Sequence, residues 1–438
     1  MSKEQALAFD AQSKMCNWLY NQLVQLTETD YQNGKPMNLL AGRNLRNQVP
    51  KVKEQQPFLY KVHSSPLKNV ALRLKDAYDR FFDPTLDNQK PHYRSWKKKW
   101  FSLLYDEPNK GFKLLGDETL SISFGKYSDD EWHELKKKDK KANKQIRVEV
   151  KLKEKVILRS NQKIKTLRIT KDLNHYYAIF TIEEKVIATK VAEKTYIVFD
   201  PNHKNLAVGV ASDGKSYELT AMKSMLSYWD QRIDTLKSLR DRCQKQSKYI
   251  VTPHTSYWQP SKRWTRLNYS LEKAYRKRRE QMKLILYRYA HFFSRQYDGI
   301  YIGNYTPTPD VATCKTMNRA MLNQTPIGQF RHIVEWVQEK KSKHYQTVDE
   351  RDTTKNCCVC GHQEKKDPTI RIFTCVNCET VLSRDINSAV NIGHKAKKIL
   401  PRSGYVGVKH PMYTVWWDWK QGKVSCGLNS STGSSILV

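Results

Sequence analysis

Four cysteines in two Cys-x-x-Cys pairs, Cys357 with Cys360 and Cys375 with Cys378, form the most specific chemical pattern in the chain. Fourteen residues separate the pairs. Two such knuckles bring four thiolates to one tetrahedral zinc, the full shell of a closed structural site. Gly361, directly after the second cysteine, suits the tight turn of a knuckle. Cys358 reads as a bystander and His362 as a weaker alternative ligand. A ribbon of this kind holds structure and does not by itself show catalysis.

Two carboxylates stand where further chemistry could follow. Asp200 ends the apolar run Tyr196-Ile197-Val198-Phe199, at the carboxyl edge of a strand, where active sites of α/β folds lie. Asp385 opens a helix just after the ribbon, in Ser383-Arg384-Asp385-Ile386-Asn387-Ser388-Ala389-Val390-Asn391-Ile392. Taken singly, Asp385 is a helix cap and Asp200 a turn residue. Beside a zinc ribbon in a strongly basic chain, both are candidate ligands for Mg²⁺. Two-metal phosphoryl transfer needs acidic oxygens to clamp the attacking and leaving oxygens.

The basic balance is large. Among 438 residues, 77 Lys and Arg against 44 Asp and Glu leave a formal charge of +33. Dense phosphate is the partner that best matches such a field. Residues 90–101 interleave cations with rings, Tyr93 and Trp96 among them, and a second basic, aromatic link runs from Lys248 through Trp258, Arg263 and Trp264. Rings can stack on bases while cations hold phosphates. Of nine cysteines, five crowd into 357–378, which suits a reducing compartment with one local metal site, not a disulfide framework. No long uncharged apolar run predicts a membrane span, and the N-terminus leads into no apolar signal core, so no secretion is expected.

Periodicity supplies the elements that must position these groups. The first 85 residues read as helices, with Ser65-Pro66 as a hydroxyl-capped start. Residues 136–144 read as a solvated lysine-rich loop, and 147–152, 165–170 and 176–182 as strands. A strand meander follows at 196–199, 206–210 and 216–220, turning at Asp213-Gly214. Helices are expected at 224–246 and 270–297, then a short strand at 299–304, a helix opened by Thr325-Pro326, a strand at 345–348 and a helix at 385–398. Beyond Pro401 the pattern fades, and 430–435 reads as a disordered tail.

With these residues in hand, the chain resembles the TnpB family. The two Cys-x-x-Cys pairs followed by Arg384-Asp385-Ile386-Asn387-Ser388-Ala389-Val390-Asn391-Ile392 resemble its C-terminal signature. Asp200-Pro201-Asn202-His203-Lys204-Asn205-Leu206-Ala207-Val208-Gly209 resembles its first RuvC motif, and 67–82 with Lys90-Pro91-His92-Tyr93 its helical recognition segment. TnpB proteins are RNA-guided DNA endonucleases encoded by transposons, related to compact type V CRISPR effectors and to eukaryotic Fanzor proteins. The resemblance implies an α/β RNase H-like (RuvC) nuclease domain with an inserted zinc ribbon, preceded by a helical recognition lobe with a small β-barrel. The implied domains are a mainly helical lobe at 1–140, a β-rich wedge-like unit at 141–192, the nuclease domain at 193–400 with its ribbon at 351–381, and a flexible tail at 401–438. The implied partners are a guide RNA and target double-stranded DNA, with a monomer as the expected state. Such a protein would be cytoplasmic or nucleoid-associated in a prokaryote and nuclear in a eukaryote.

The chain departs from the family pattern where a glutamate is expected, at the end of the fourth core strand. Ile300-Tyr301-Ile302-Gly303-Asn304-Tyr305 places Gly303 there, with neutral Asn304 beside it. Either the site is dead and the protein is an RNA-guided DNA-binding repressor, or the glutamate has moved to Glu350 at the end of the next strand. Strand neighbours lie about 4.8 Å apart, so a long Glu side chain could reach across a glycine. Asp349 should face the other way. A second departure is the absence of an opening strand, which suggests a trimmed barrel. The expected nuclease uses Asp200, Glu350 and Asp385 as catalytic ligands of two Mg²⁺ ions, with Arg384 neutralising phosphate and one structural zinc on Cys357, Cys360, Cys375 and Cys378.

Overall fold

A computed structural model describes residues 1–34, 38–95, 100–185, 191–203, 205–220, 222–253, 256–306, 325–367, 370–402 and 412–428. They divide into two units, Met1–Ile187 and Ala188–Val438. Trp96 and the 430–435 tail lie outside the described residues.

In the first unit, helix α1 (Lys3–Gln32) starts on a capping box in which Ser2 accepts from the Gln5 N–H and Gln5 accepts in return. Helices α2 (Asn44–Gln55) and α3 (Ser64–Phe82) follow. The cap of α3 is His63, whose Nδ1 accepts from the Ser65 N–H at 3.1 Å, so the hydroxyl cap expected at Ser65 is displaced by two residues. Strands come earlier than the sequence pattern indicates: β1 (Ser102–Tyr105), β2 (Phe112–Leu115) and β3 (Thr119–Lys126). Of the lysine run 136–144, the first three residues belong to a helix and the rest is loop. Helix α4 (Asp129–Lys138) has a Ser128–Glu131 capping box, acids in its first turn and lysines in its last, as the helix dipole favours.

Strands β4 (Gln145–Lys151), β5 (Gln162–Asp172) and β6 (His175–Glu184) complete the unit. They do not form a separate domain from residue 141. β4 pairs with β3, β5 pairs with β1, and both sheets share one buried core with α1, α2 and α3. Among the described residues, two three-stranded sheets, β1-β5-β6 and β2-β3-β4, stand where a barrel was expected.

The second unit is built on a seven-stranded sheet ordered β13-β12-β7-β8-β9-β16-β17. Strands β7 (Tyr196–Pro201), β8 (Ala207–Ala211) and β9 (Ser216–Leu219) form an antiparallel meander. Helix α5 (Met222–Arg242), a hairpin of β10 (Lys248–Val251) and β11 (Ser256–Gln259), and the 35-residue α6 (Lys262–Gln296) come next. The basic link is therefore largely a hairpin, and α6 starts eight residues earlier than its apolar stripe implies, on a Ser261 cap. β12 (Gly299–Gly303), α7 (Ile327–Lys340) and β13 (His344–Val348) add two strands parallel to β7. Antiparallel β7–β9 flanked by parallel β12 and β13 is the arrangement expected of an RNase H-like core.

Alternation along β7 splits its two faces. Ile197 and Phe199 pack with α5, α6 and α7. Val198 faces the ribbon, made of β14 (Ile372–Thr374) and β15 (Val381–Ser383), and helix α8 (Arg384–Lys395). The segment expected as a flexible tail instead supplies β16 (Met412–Asp418) and β17 (Lys423–Leu428), with β16 parallel to β9. Val415 and Trp417 are buried in the α5–α6 core, which fixes these strands. Trp417→Ala should therefore destabilise the second unit by about 3 kcal/mol, the usual effect of emptying a buried ring site. Thermal unfolding would test this, and an unchanged midpoint would detach β16 from the core.

Candidate active site and zinc centre

The register of the parallel strands gathers one face. Ile302 lies beside Phe199, and Gly303 beside Val348. Asp200 follows Phe199 and shares the face of Val198; Glu350 shares the face of Val348, two residues on. Asp385 enters from the first turn of α8. All three carboxylates line one cavity of about 630 Å³, together with Asn202, His203, Arg371 and Arg384.

Gly303 and Glu350 are complementary. A Cβ built at Gly303 would fall on Oε2 of Glu350, so the Glu350 carboxylate fills the space that a side chain at 303 would need. That oxygen is buried and has no hydrogen-bond partner among the described residues. Asn304 supports the arrangement, since its Oδ1 accepts from the Glu350 N–H at 3.3 Å. Asp349 turns to Lys395 at 3.6 Å and Arg351 at 3.7 Å.

Asp200 is only 7% exposed. Burial, then the charges of Asp385 and Glu350, push its carboxyl well above the usual range, while Ser388 and Arg384 act in the opposite direction. Burial likewise raises Glu350 from its ordinary 4.5 to about 7, against the pull of Arg331. Asp385 lies 3.9 Å from Arg371. A desolvated acid with an unpartnered oxygen, facing two further carboxylates, is a donor set that fits hard cations such as Mg²⁺. The three groups do not converge on a single point. Among the described residues only the four cysteines bring three or more ligand atoms within 4.8 Å of one another. Like charges repel, and a two-ion site with ions about 3.5–4 Å apart spreads its ligands.

Polar residues that the sequence reading passed over hold these carboxylates. Ser388 Oγ donates to Asp200 Oδ1 at 2.9 Å and lies 3.0 Å from Thr353 Oγ1, which donates to the Glu350 carbonyl at 2.8 Å. Asn391 Nδ2 donates to the carbonyls of Thr353 at 2.8 Å and Asn356 at 2.7 Å. Asn387 Oδ1 accepts from the Cys358 N–H at 2.9 Å. The usable signal was the i, i+4 spacing of Asn387 and Asn391, which puts both on one helix face.

The four cysteines come together as a zinc site requires. Cys357 and Cys378 sulfurs lie 3.6 Å apart, and those of Cys360 and Cys375 3.5 Å. Tetrahedral bonds of about 2.3 Å would separate sulfurs by about 3.8 Å, so the set fits zinc. Each knuckle closes on a residue with positive φ, Gly361 at 75° and Glu379 at 55°. His362 gives its carbonyl, not its ring, to the Cys357 N–H. Hydrogen bonds, first from Asn377, lower Cys360 to about 6, whereas burial raises Cys357 to about 12. Cys358 is a buried packing residue, as expected of a bystander.

The candidate nucleic-acid contacts are dispersed. Tyr93, Trp258 and Arg263 are exposed. Trp264 is half-buried in the first turn of α6 with the Arg240 guanidinium 5.8 Å from its ring centre. Arg384 lines the acidic cavity.

Residues 328–392 match the family model of the Cas12f1-like TNB domain. The fold aligns with Cas12f1, solved by cryo-electron microscopy in a complex with sgRNA and target DNA, at a TM-score of 0.59 and 14% identity over 89% of this chain and 83% of that one. A CRISPR-Cas12f ternary complex aligns at a TM-score of 0.34 and 13% identity, over 89% and 82%. The mini RNA-guided endonuclease CRISPR-Cas phi3 aligns at 0.34 and 13%, over 53% and 51%. Only the 0.59 alignment bears on the fold among these three. No curated protein sequence matches the chain. Domain match and fold together bear out the resemblance to the TnpB-like family of RNA-guided nucleases.

Three outcomes are expected. Cys375→Ser should lower zinc content and solubility together, because four thiolates complete a closed shell; elemental analysis reads the result. Gly303→Ala should change stability little, since the flexible end of Glu350 can swing aside, yet weaken Mg²⁺ binding measured by calorimetry. In metal-free protein the folded state binds the Glu350 proton more tightly than the unfolded state. Stability should therefore fall as pH rises from about 4.5 to about 7. Glu350→Gln should flatten that slope in denaturant titrations.

Proposed function

We propose that the chain is an RNA-guided DNA endonuclease with one RuvC-type site formed by Asp200, Glu350 and Asp385. The observation that carries this reading is the fit of the Glu350 carboxylate into the space left by Gly303. The glutamate missing from one strand is thereby supplied by its neighbour. Two Mg²⁺ ions, when bound, would activate water and stabilise the leaving 3′-oxygen.

The chain's own residues would prepare that chemistry. Ser388 holds one oxygen of Asp200 and leaves the other for the cavity. Thr353 fixes the turn that carries Glu350. Arg371 and Arg384 oppose each other at the end of the ribbon hairpin, where the Arg384 N–H donates to the Arg371 carbonyl at 2.9 Å. Both line the cavity, where they would neutralise a scissile phosphate. The Cas12f1 relative was solved with sgRNA and target DNA, and a charge of +33 suits the same partners, a guide RNA and double-stranded target. Transposon association follows from the TnpB resemblance alone.

Cleavage of a guide-matched duplex tests the proposal. The parent should cut with Mg²⁺ and stop with EDTA. Glu350→Gln, Asp200→Ala and Asp385→Ala should each lower cleavage at least about a hundredfold while target binding persists, and double changes should not add. A parent that binds the target but never cuts would instead make the protein an RNA-guided DNA-binding repressor.

A further inference from the structure

The hairpin of β10 and β11 is two-faced in an unusual sense. Its cross-strand pairs are Lys248 with Gln259, Tyr249 with Trp258, Ile250 with Tyr257, and Val251 with Ser256. Alternation puts Ile250 and Tyr257 on one face, both half-buried. The opposite face carries Tyr249 at 53% exposure, Trp258 at 59% and Val251 at 71%. The Tyr249 and Trp258 rings lie 5.0 Å apart at 55°. A hairpin ordinarily turns its largest rings inward, whereas this one leaves both of its paired rings more than half exposed.

The surrounding charge narrows what could cover it. From Arg242 to Leu271 the chain has no Asp or Glu, but it has Arg242, Lys245, Lys248, Lys262, Arg263 and Arg266. All six are exposed. A ring pair flanked in sequence by six exposed cations, with no carboxylate between Arg242 and Leu271, calls for an anionic partner with flat apolar faces. An anionic lipid surface is disfavoured, because membrane-binding faces carry several aliphatic anchors and this one carries only Val251.

We infer that Tyr249 and Trp258 form a stacking platform for unpaired bases of a single strand, with the flanking cations on its phosphates. Stacking needs a base freed from its partner, so the platform should read single-strandedness and not sequence. This names a subsite within the nucleic-acid reading above. It can fail separately, because the substitutions leave Asp200, Glu350 and Asp385 untouched.

The test uses the full chain, stripped of nucleic acid at high salt. Labelled single strands of uridines and of thymidines, a blunt duplex, and phosphatidylserine vesicles are the probes, each measured at two salt concentrations. Trp258→Ala and Tyr249→Ala should each weaken single-strand binding about 5- to 100-fold, the worth of one stacked base. The salt slope and duplex affinity should not move. Trp258→Phe keeps a ring and should restore most of the loss. Arg263→Gln should flatten the salt slope by about 0.7, the share of one phosphate contact on a single strand. The uridine and thymidine arms show whether the natural source is RNA or DNA. Unchanged single-strand affinity in Trp258→Ala would overturn the inference, as would equal loss on the duplex or a loss confined to vesicles. Both rings are largely in water, so folding should survive, and unfolding midpoints matching the parent confirm that affinity is what changed.

Discussion

At the end of β7 the Asp200 carboxyl sits almost out of water, with the charges of Asp385 and Glu350 directed into the same space. Repulsion between such groups grows as the local dielectric falls. Left to itself, the cluster would protonate or splay. The surrounding residues resist both. Ser388 holds one oxygen of Asp200, Arg371 approaches Asp385, and Thr353 ties the Glu350 turn to the same helix. The second unit can be understood as a frame that keeps three mutually repelling carboxyl groups together.

A third ligand on Glu350 would change which parts of that frame matter. A ligand at the end of β12 would be held by the sheet itself. Glu350 lies past the end of β13, in a turn, so its position depends on side chains. Thr353 and Asn391, both largely buried, take over that task and connect it to the loop that enters the ribbon. Zinc held by the four cysteines would thus act on the acidic cavity at second hand, by fixing the segment from which the turn hangs.

Much of this was legible from the residues. Cysteine spacing gave the ribbon, and the apolar runs at 196–199 and 299–303 gave two of the central strands because buried parallel strands need little alternation. The facing of Asp349 and Glu350 followed from period two. Other features left weaker marks. β1 and β2 are only four residues each, with glycines and charges between them, and the pattern there resembled the loops of a helical lobe, which hid the longer β3 as well. The β16 and β17 strands carry intermediate burial along most of their length, so only Val415 and Trp417 mark the inward face. The hairpin at β10 and β11 exposes the rings that would ordinarily signal a strand's buried side. Ser388 was invisible because its role depends on a partner far away in sequence, Asp200, 188 positions off.

The parallel pairing of β9 with β16 has a consequence for how the molecule comes to exist. Leu219 stands beside Val415 in that ladder, so one edge of the meander waits for a strand made nearly two hundred residues later. Contacts this distant in sequence slow folding and leave an unpaired edge exposed in the meantime. On a ribosome, the first unit emerges whole before that edge can be covered. A nascent chain would therefore present its amino-terminal lobe, already folded, while α8 with Asp385 is still unmade. The acidic cavity, which needs Asp385, is completed only after the first unit and the meander have been made, so any chemistry it performs would be withheld from the growing chain until then.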